Sequence, residues 1–322
     1  MKYCLFTLVL FPFVVVAQFA PPVGQIGTTA MYKDSSAFVQ WASGAVLQRG
    51  YQDVSNISLG LATVGDSSFA FGKAGDNGPV SLGDGGSIIL TFDGVIKNGA
   101  GFDFAVFENS FSDDFLELAF VEVSSDGVNF FRFPAISNTD TTTQTGSFGS
   151  TDATKINNLA GKYRALYGTP FDLEELKNEV GLDVNNITHV KIIDVVGSIN
   201  NTYATRDKNN RKINDPWPTA FGSSGFDLDA VGVIHFSSGN GVEEMEKKSL
   251  VLYPNPLNNS QNLTIEGGEG LLTIVDLQGK VMFSSLINEG KHTFSFSNLN
   301  EGMYIVSIQN ESTIYTQKLI VR

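Results

Sequence analysis

A chain of 322 residues with 34 acidic against 21 basic side chains and a formal net charge of −13 is a poor electrostatic partner for the phosphates of nucleic acid or for an anionic membrane. Its single cysteine, Cys4, excludes an internal disulfide, so stability must come from core burial or a bound metal. The length suits two domains and a targeting segment.

At the amino end Lys2 precedes an apolar run over residues 4–16, and Val15-Val16-Ala17 places small residues at −3 and −1 before Gln18. This predicts a secretory signal peptide over 1–17, too short and too interrupted by Pro12 to anchor the chain in a membrane. Cys4 sits at the start of the run, badly placed for a lipidated cysteine. No later stretch approaches the length of a membrane helix.

Residues 18–236 are punctuated by glycine at Gly75-Asp76-Asn77-Gly78, Gly83-Asp84-Gly85-Gly86 and Asn98-Gly99-Ala100-Gly101. Short apolar runs at 87–92, 102–107, 117–124, 128–133, 189–196 and 230–236 lie between and beyond them and predict strands. One helix is expected from Thr169-Pro170-Phe171-Asp172, with Thr169 as N-cap and Pro170 at the first helical position, continuing to about Glu179. Leu173, Leu176 and Val180 would form its apolar stripe. The expected fold is all-β: a jelly-roll-like sandwich with one surface helix. Residues 237–249, with Gly239-Asn240-Gly241 and a charged run to Lys248, have the composition of a linker.

From Leu250 the chain reads as a second, smaller domain to Arg322. Leu252-Tyr253-Pro254-Asn255-Pro256 opens it, and alternating runs at 271–276, 280–286, 292–296, 303–309 and 314–321 follow, divided by turns such as Gln278-Gly279 and Asn300-Glu301-Gly302. Such spacing predicts a small antiparallel β-sandwich. The Tyr-Pro-Asn-Pro opening, the Val275-Asp276-Leu277-Gln278-Gly279-Lys280 hairpin, the Leu299-Asn300-Glu301-Gly302-Met303-Tyr304 turn and the basic end Lys318-Leu319-Ile320-Val321-Arg322 resemble the C-terminal sorting domain of type IX (Por) secretion in Bacteroidetes. The resemblance implies an immunoglobulin-like sandwich, the type IX secretion machinery as partner, and passage through the periplasm to the outer cell surface or the medium. It also implies removal of the domain afterwards.

Within 18–236, the blocks Gly101 through Asn109, Val121 through Phe130 and Gly225 through Val231 resemble blocks of uncharacterised Bacteroidetes cell-surface proteins. That resemblance implies no activity. Some of the group accompany outer-membrane uptake systems, corrinoid uptake included, although none of these residues marks a corrinoid site.

Acidic residues are the first candidates for chemistry. In an extended stretch over 226–231, Asp227 and Asp229 point to one side, and Asp103 and Glu108 flank the neighbouring apolar block. Carboxylates gathered at a core edge repel one another unless a cation or strong donors compensate. Calcium, which takes six to eight oxygens, suits loops between strands, so Asp227, Asp229, Glu108 and Asp103 are candidate ligands. The alternative is that these acids face water or accept turn N–H groups. Asp207-Lys208-Asn209-Asn210-Arg211 begins like a calcium loop but lacks the glycine at position six and the glutamate at twelve, where Pro218 stands, and is read as a solvated turn.

Trp217 lies between Pro216 and Pro218, on a stiffened loop rather than in a helix or central strand. With Phe221 it is a candidate for stacking on a sugar or another flat ligand. The alternative is a lid closing the end of the sandwich.

Enzyme signatures fail. Val64-Gly65-Asp66-Ser67-Ser68 imitates a hydrolase nucleophile block, but no Asp-x-x-His supplies the base. There is no Gly-x-Ser-x-Gly, His-Glu-x-x-His or phosphate loop, and His189, His235 and His292 are too dispersed for zinc. A carboxylate pair for glycoside hydrolysis stays open. A ligand binder would show an aromatic-walled groove near Trp217, a hydrolase two buried acids across a cleft, and a structural or adhesive protein neither.

Overall fold

The computed structural model describes residues 19–238, 246–248, 250–258, 261–288, 290–296, 299–310 and 313–322. The expected signal peptide and most of the expected linker lie outside them. The chain divides into two compact units, Met1–Gly239 and Asn240–Arg322.

The amino-terminal unit is a β-sandwich of two six-stranded sheets. One sheet runs Met31–Tyr32, Tyr167–Phe171, Phe104–Glu108, Asp227–Val233, Gln40–Trp41, with Val80–Ser81 also on Asp227–Val233. The other runs Phe236–Ser238, Ser87–Ile96, Ile187–Asp194, Ala119–Ser124, Phe131–Arg132, with Gly44–Gln48 also on Ser87–Ile96. Strand pairing in both is antiparallel. Phe104, Val106, Leu228 and Val231 from the first sheet meet Ile88, Leu90, Val121 and Ile192 from the second in one buried core. Alternation along each strand supplies that face.

Strand Phe104–Glu108 is buried along its whole length. Phe104 and Val106 enter the main core, whereas Ala105 and Phe107 pack in a second cluster with Ala230, Phe38 and Trp41. A strand covered on both faces reads as a continuous apolar run, and the carboxylate at its end is carried into the protein with it.

The expected helix is corrected. Residues 167–171 form a strand, and only Leu173–Leu176 make a 3-10 turn, capped by Asp172, whose carboxylate accepts from Glu174 N–H at 2.9 Å. Thr169, Pro170 and Phe171 pair with Val106, Ala105 and Phe104. The strand on the other side, Met31–Tyr32, reaches only Gly168, so Pro170 has no second ladder to interrupt. The Phe171 ring lies 5.4 Å from Phe104 and 5.0 Å from Phe133. That long-range burial outweighs the local cap signal. Leu173 and Leu176 are still buried, but Val180 is 94 % exposed.

The carboxyl-terminal unit pairs a five-stranded sheet with a three-stranded one. Leu263, Ile265, Leu272, Ile274, Val306 and Leu319 fill the core of this smaller sandwich. Two short strands take up parts of the expected linker: Phe236–Ser238, which runs into it from the expected cargo, extends the first unit against Ser87–Ile96, and Glu246–Lys248 runs parallel to Thr313–Val321 in the second.

Candidate functional site: an aromatic cleft over buried acids

Three carboxylates from both sheets converge at one end of the large sandwich. Glu108 ends its strand, and Asp227 begins the neighbouring one, with Leu228 paired to Glu108. Glu117 comes from the other sheet, just before Ala119–Ser124. All three line a cleft of about 170 Å³.

The rim is aromatic. In the loop after Glu108, the Ser110 hydroxyl donates to the carbonyls of Ser112 and Phe115, and Phe115 N–H donates to the Ser112 hydroxyl at 3.0 Å. This tight turn stacks Phe111 on Phe115, with centroids 4.3 Å apart. The row continues from Phe115 to Phe148 at 6.2 Å and from Phe148 to Phe221 at 5.8 Å. The loops bearing the last two rings are tied together: Trp217 N–H donates to Thr145 O at 3.0 Å, and the Ser147 hydroxyl to Pro218 O at 2.6 Å. Phe111 and Phe148 remain 72 % and 73 % exposed, more than packing alone would leave so many neighbouring rings.

The floor is electrostatically unbalanced. Glu108, 2 % exposed, has its pKa raised well above the carboxylate range by burial and then by the charge of Asp227, with Ser110 N–H donating at 2.8 Å in partial compensation. Glu117, 7 % exposed, is pushed well up by burial and then by Glu108 and Asp227. Among the described residues its carboxylate has no hydrogen-bond partner. Burial lifts Asp227 to about 6 against the hydroxyl of Ser81. Behind them stand Asp84, Asp194 and Asp215. These accept from backbone N–H groups of Val54, of Gly85 and Phe226, and of Leu118, at 2.7–2.8 Å. Asp194 is raised to about 8, by burial first and then by Asp84. None of these six acids forms an ion pair among the described residues.

The residues expected from the sequence are dispersed. Phe221 lines the cleft; Trp217 does not. The half-buried indole of Trp217 donates its N–H to Asp84 at 3.0 Å and lies 6.0 Å from the Tyr203 ring, which fixes the loop from beneath. Of the four acids considered for calcium, only Glu108 and Asp227 share the cleft. Asp103 is at the other end of its strand, about 17 Å away at roughly 3.4 Å per residue, and accepts from Gly99 N, Leu173 N and His235 Nδ1, each at 2.7 Å. Asp229 is the extra residue of a bulge, where the register passes from Leu228 opposite Glu108 to Ala230 opposite Phe107. The bulge breaks the alternation that would have set Asp229 beside Asp227, and its carboxylate accepts from Gly75 N–H at 2.9 Å. Among the described residues no three acid, imidazole or thiol groups are arranged to hold a metal ion. The Asp207 turn exposes Lys208, Asn209, Asn210 and Arg211 to solvent, while Asp207 itself is buried and accepts from Asn209 N, Arg211 N and Ser137 N.

Sequence reasoning missed Glu117, Phe111, Phe115 and Phe148. Glu117 carried a signal, because it interrupts the apolar run Phe115-Leu116-Glu117-Leu118-Ala119-Phe120, and an acid there is buried at a cost unless something compensates it. Phe148 is a lone aromatic in a Thr, Ser and Gly loop.

Residues 251–322 match the family model of the secretion system C-terminal sorting domain. The carboxyl-terminal unit is a type IX secretion sorting domain. The motifs of this sorting domain hold its ends together. In Tyr-Pro-Asn-Pro, the Asn255 amide donates to Lys318 O at 2.6 Å and accepts from Ile320 N–H at 3.0 Å, pinning the last strand. In the hairpin, Asp276 accepts from the N–H groups of Gln278 and Lys280 at 2.9 Å, while Gly279 takes φ +80°. A sorting domain of this kind marks the chain for delivery to the cell surface or for secretion. Among the described residues no helix is long and apolar enough to cross a membrane.

No curated protein matches the chain. Among solved structures, PorZ, a surface component of the type IX secretion system of Porphyromonas gingivalis, is similar over 29 % of this chain and 14 % of its own, at 15 % identity and TM-score 0.22. The BSP domain of a biofilm-associated protein is similar over 90 % and 53 %, at 10 % identity and TM-score 0.22. A β-glucuronidase from Ruminococcus gnavus in complex with D-glucuronic acid is similar over 91 % and 47 %, at 11 % identity and TM-score 0.23. The chain thus spans about half or less of the solved chains it matches, and scores of this size say nothing about a shared function.

Proposed function

We propose that the amino-terminal sandwich is the ligand-binding cargo of an exported surface or secreted protein, taking a glycan or small molecule in the cleft between Phe111, Phe148 and Phe221. The observation that carries this reading is the row of exposed rings above a buried, unpartnered Glu117. Flat apolar ligand faces stack on such rings, and polar ligand groups meet acids that the fold leaves unsatisfied. Calcium, expected at Asp227, Asp229, Glu108 and Asp103, enters the proposal only as a competitor for Glu108, Glu117 and Asp227. The direct test is a glycan and metabolite screen on the full chain beside Phe148→Ala. The variant should keep its stability within about 0.5 kcal/mol, as a surface change does, and lose the hits. Hits unaffected by Phe148→Ala would place binding elsewhere.

Glycoside hydrolysis is favoured by one observation: Glu108, Glu117 and Asp227 line one cleft with raised pKa values, the environment of a general acid. Hydrolysis of a bound glycan by the native chain, abolished in Glu117→Gln with binding retained, would establish it.

A further inference from the structure

The chemistry of the cleft narrows the class of ligand. Glu108 and Glu117 are buried and Asp227 half-buried, and no Lys or Arg among the described residues pairs with them. Like charges confined in this way favour any occupant that brings a positive charge. Glu117 adds an independent sign, since a carboxylate more than nine-tenths buried and without a hydrogen-bond donor is aimed into the opening. Among the described residues no three acid, imidazole or thiol groups are arranged around one point as a metal cage. The cleft of about 170 Å³ also has several times the roughly 30 Å³ share of one water. Four phenylalanines line it beside the polar Asn109, Ser147, Thr219 and Ser223, and aromatic rings attract organic cations through their faces.

We propose that the cleft binds the ammonium group of an organic cation, a primary or quaternary amine, with Glu108, Glu117 and Asp227 beneath the charge and the rings of Phe115, Phe148 and Phe221 around its carbon atoms. This rests on the reading of the cleft as the ligand site and deepens it. The amine is either free or displayed on a larger molecule, as in an amino sugar or a lysine side chain.

Calorimetric titration of the full chain tests this with choline against 3,3-dimethyl-1-butanol, its uncharged carbon analogue. Glucosamine against glucose and lysine amide form further arms, and Ca²⁺ alone forms the last. Choline is expected to bind saturably and the alcohol at least roughly tenfold more weakly, the loss of one charge-assisted interaction. Glu117→Gln and Phe148→Ala should each weaken choline by about the same factor, Glu117→Gln without loss of folding. Tighter binding of glucosamine or lysine amide than of choline would support a displayed primary amine. Equal binding of choline and the alcohol, or a response to Ca²⁺ with none to any amine, would overturn the ammonium assignment. Neutral glycans binding in a Phe148-dependent way with no amine binding would sink this proposal alone. Absence of any Phe148-dependent ligand would sink the site as well.

Discussion

Asp103 and Glu108 stand at opposite ends of one strand, both buried, and their surroundings differ. Asp103 receives two backbone N–H groups and an imidazole. Together these draw Gly99, Leu173 and His235 into one place. Glu108 receives the N–H of Ser110, and burial and then the charge of Asp227 raise its pKa; burial and then Glu108 and Asp227 raise that of Glu117 in the same cleft. Donors therefore separate an acid that closes the fold from acids the fold leaves open for something else. A carboxylate supplied with N–H groups stabilises the loops around it, whereas one supplied with further carboxylates is tolerated at a cost.

The largest expected effect breaks the closed end. Asp103→Ala strands the buried N–H of Leu173, the half-buried N–H of Gly99 and the His235 ring, and should lower the unfolding free energy by about 3 kcal/mol or more, read from urea denaturation. A loss under about 1 kcal/mol would mean that Asp103 is not the staple its contacts indicate. Next in size is Trp217→Ala. Loss of the half-buried ring and of the N–H that holds Asp84 should cost about 2 kcal/mol in stability, with binding by the folded protein unchanged. Weakened binding at unchanged stability would return Trp217 to the ligand site.

A smaller effect is the pH dependence of the open end. Asp194 at about 8 and Asp227 at about 6 hold protons in the folded chain at pH values where the unfolded chain, with carboxyls near 4, has released them. Folded protein then binds more protons than unfolded, so stability falls as pH rises. The contribution is complete below about pH 4 and is lost as pH climbs through about 6 and then about 8. Melting at pH 8.5 should come several degrees below melting at pH 5, scaled from the roughly 2–4 °C expected per kcal/mol. A saturating cationic ligand should flatten that slope, whereas a flat profile without ligand would contradict the raised values.

How far the sequence reached depended on the range of each interaction. Strands such as Ile187–Asp194 were legible because period-2 alternation is written in consecutive residues. The sorting domain was legible because Asn255, Asp276 and Gly279 act within short motifs. The helix at Thr169 was not, since Phe171 is committed to Phe104, far away along the chain, against a local cap signal. Asp229 misled because one bulge residue shifts a strand's alternation without any mark in its composition. The place of Trp217 outside the cleft was not legible because its partner, Asp84, lies 133 residues away, and neither side chain announces the other. The rings of Phe111 and Phe148 meet only once two loops have folded.

The unfolding free energy of Glu117→Gln at pH 8 tests the contrast between the two ends most directly. If the Glu117 carboxylate serves the fold nowhere, a neutral amide of the same shape relieves its repulsion from Glu108 and Asp227, and stability should rise by about 1 kcal/mol. A loss of about 2 kcal/mol or more would show that Glu117 closes the fold as Asp103 does, and would contradict the assignment of this end of the sandwich to ligand binding.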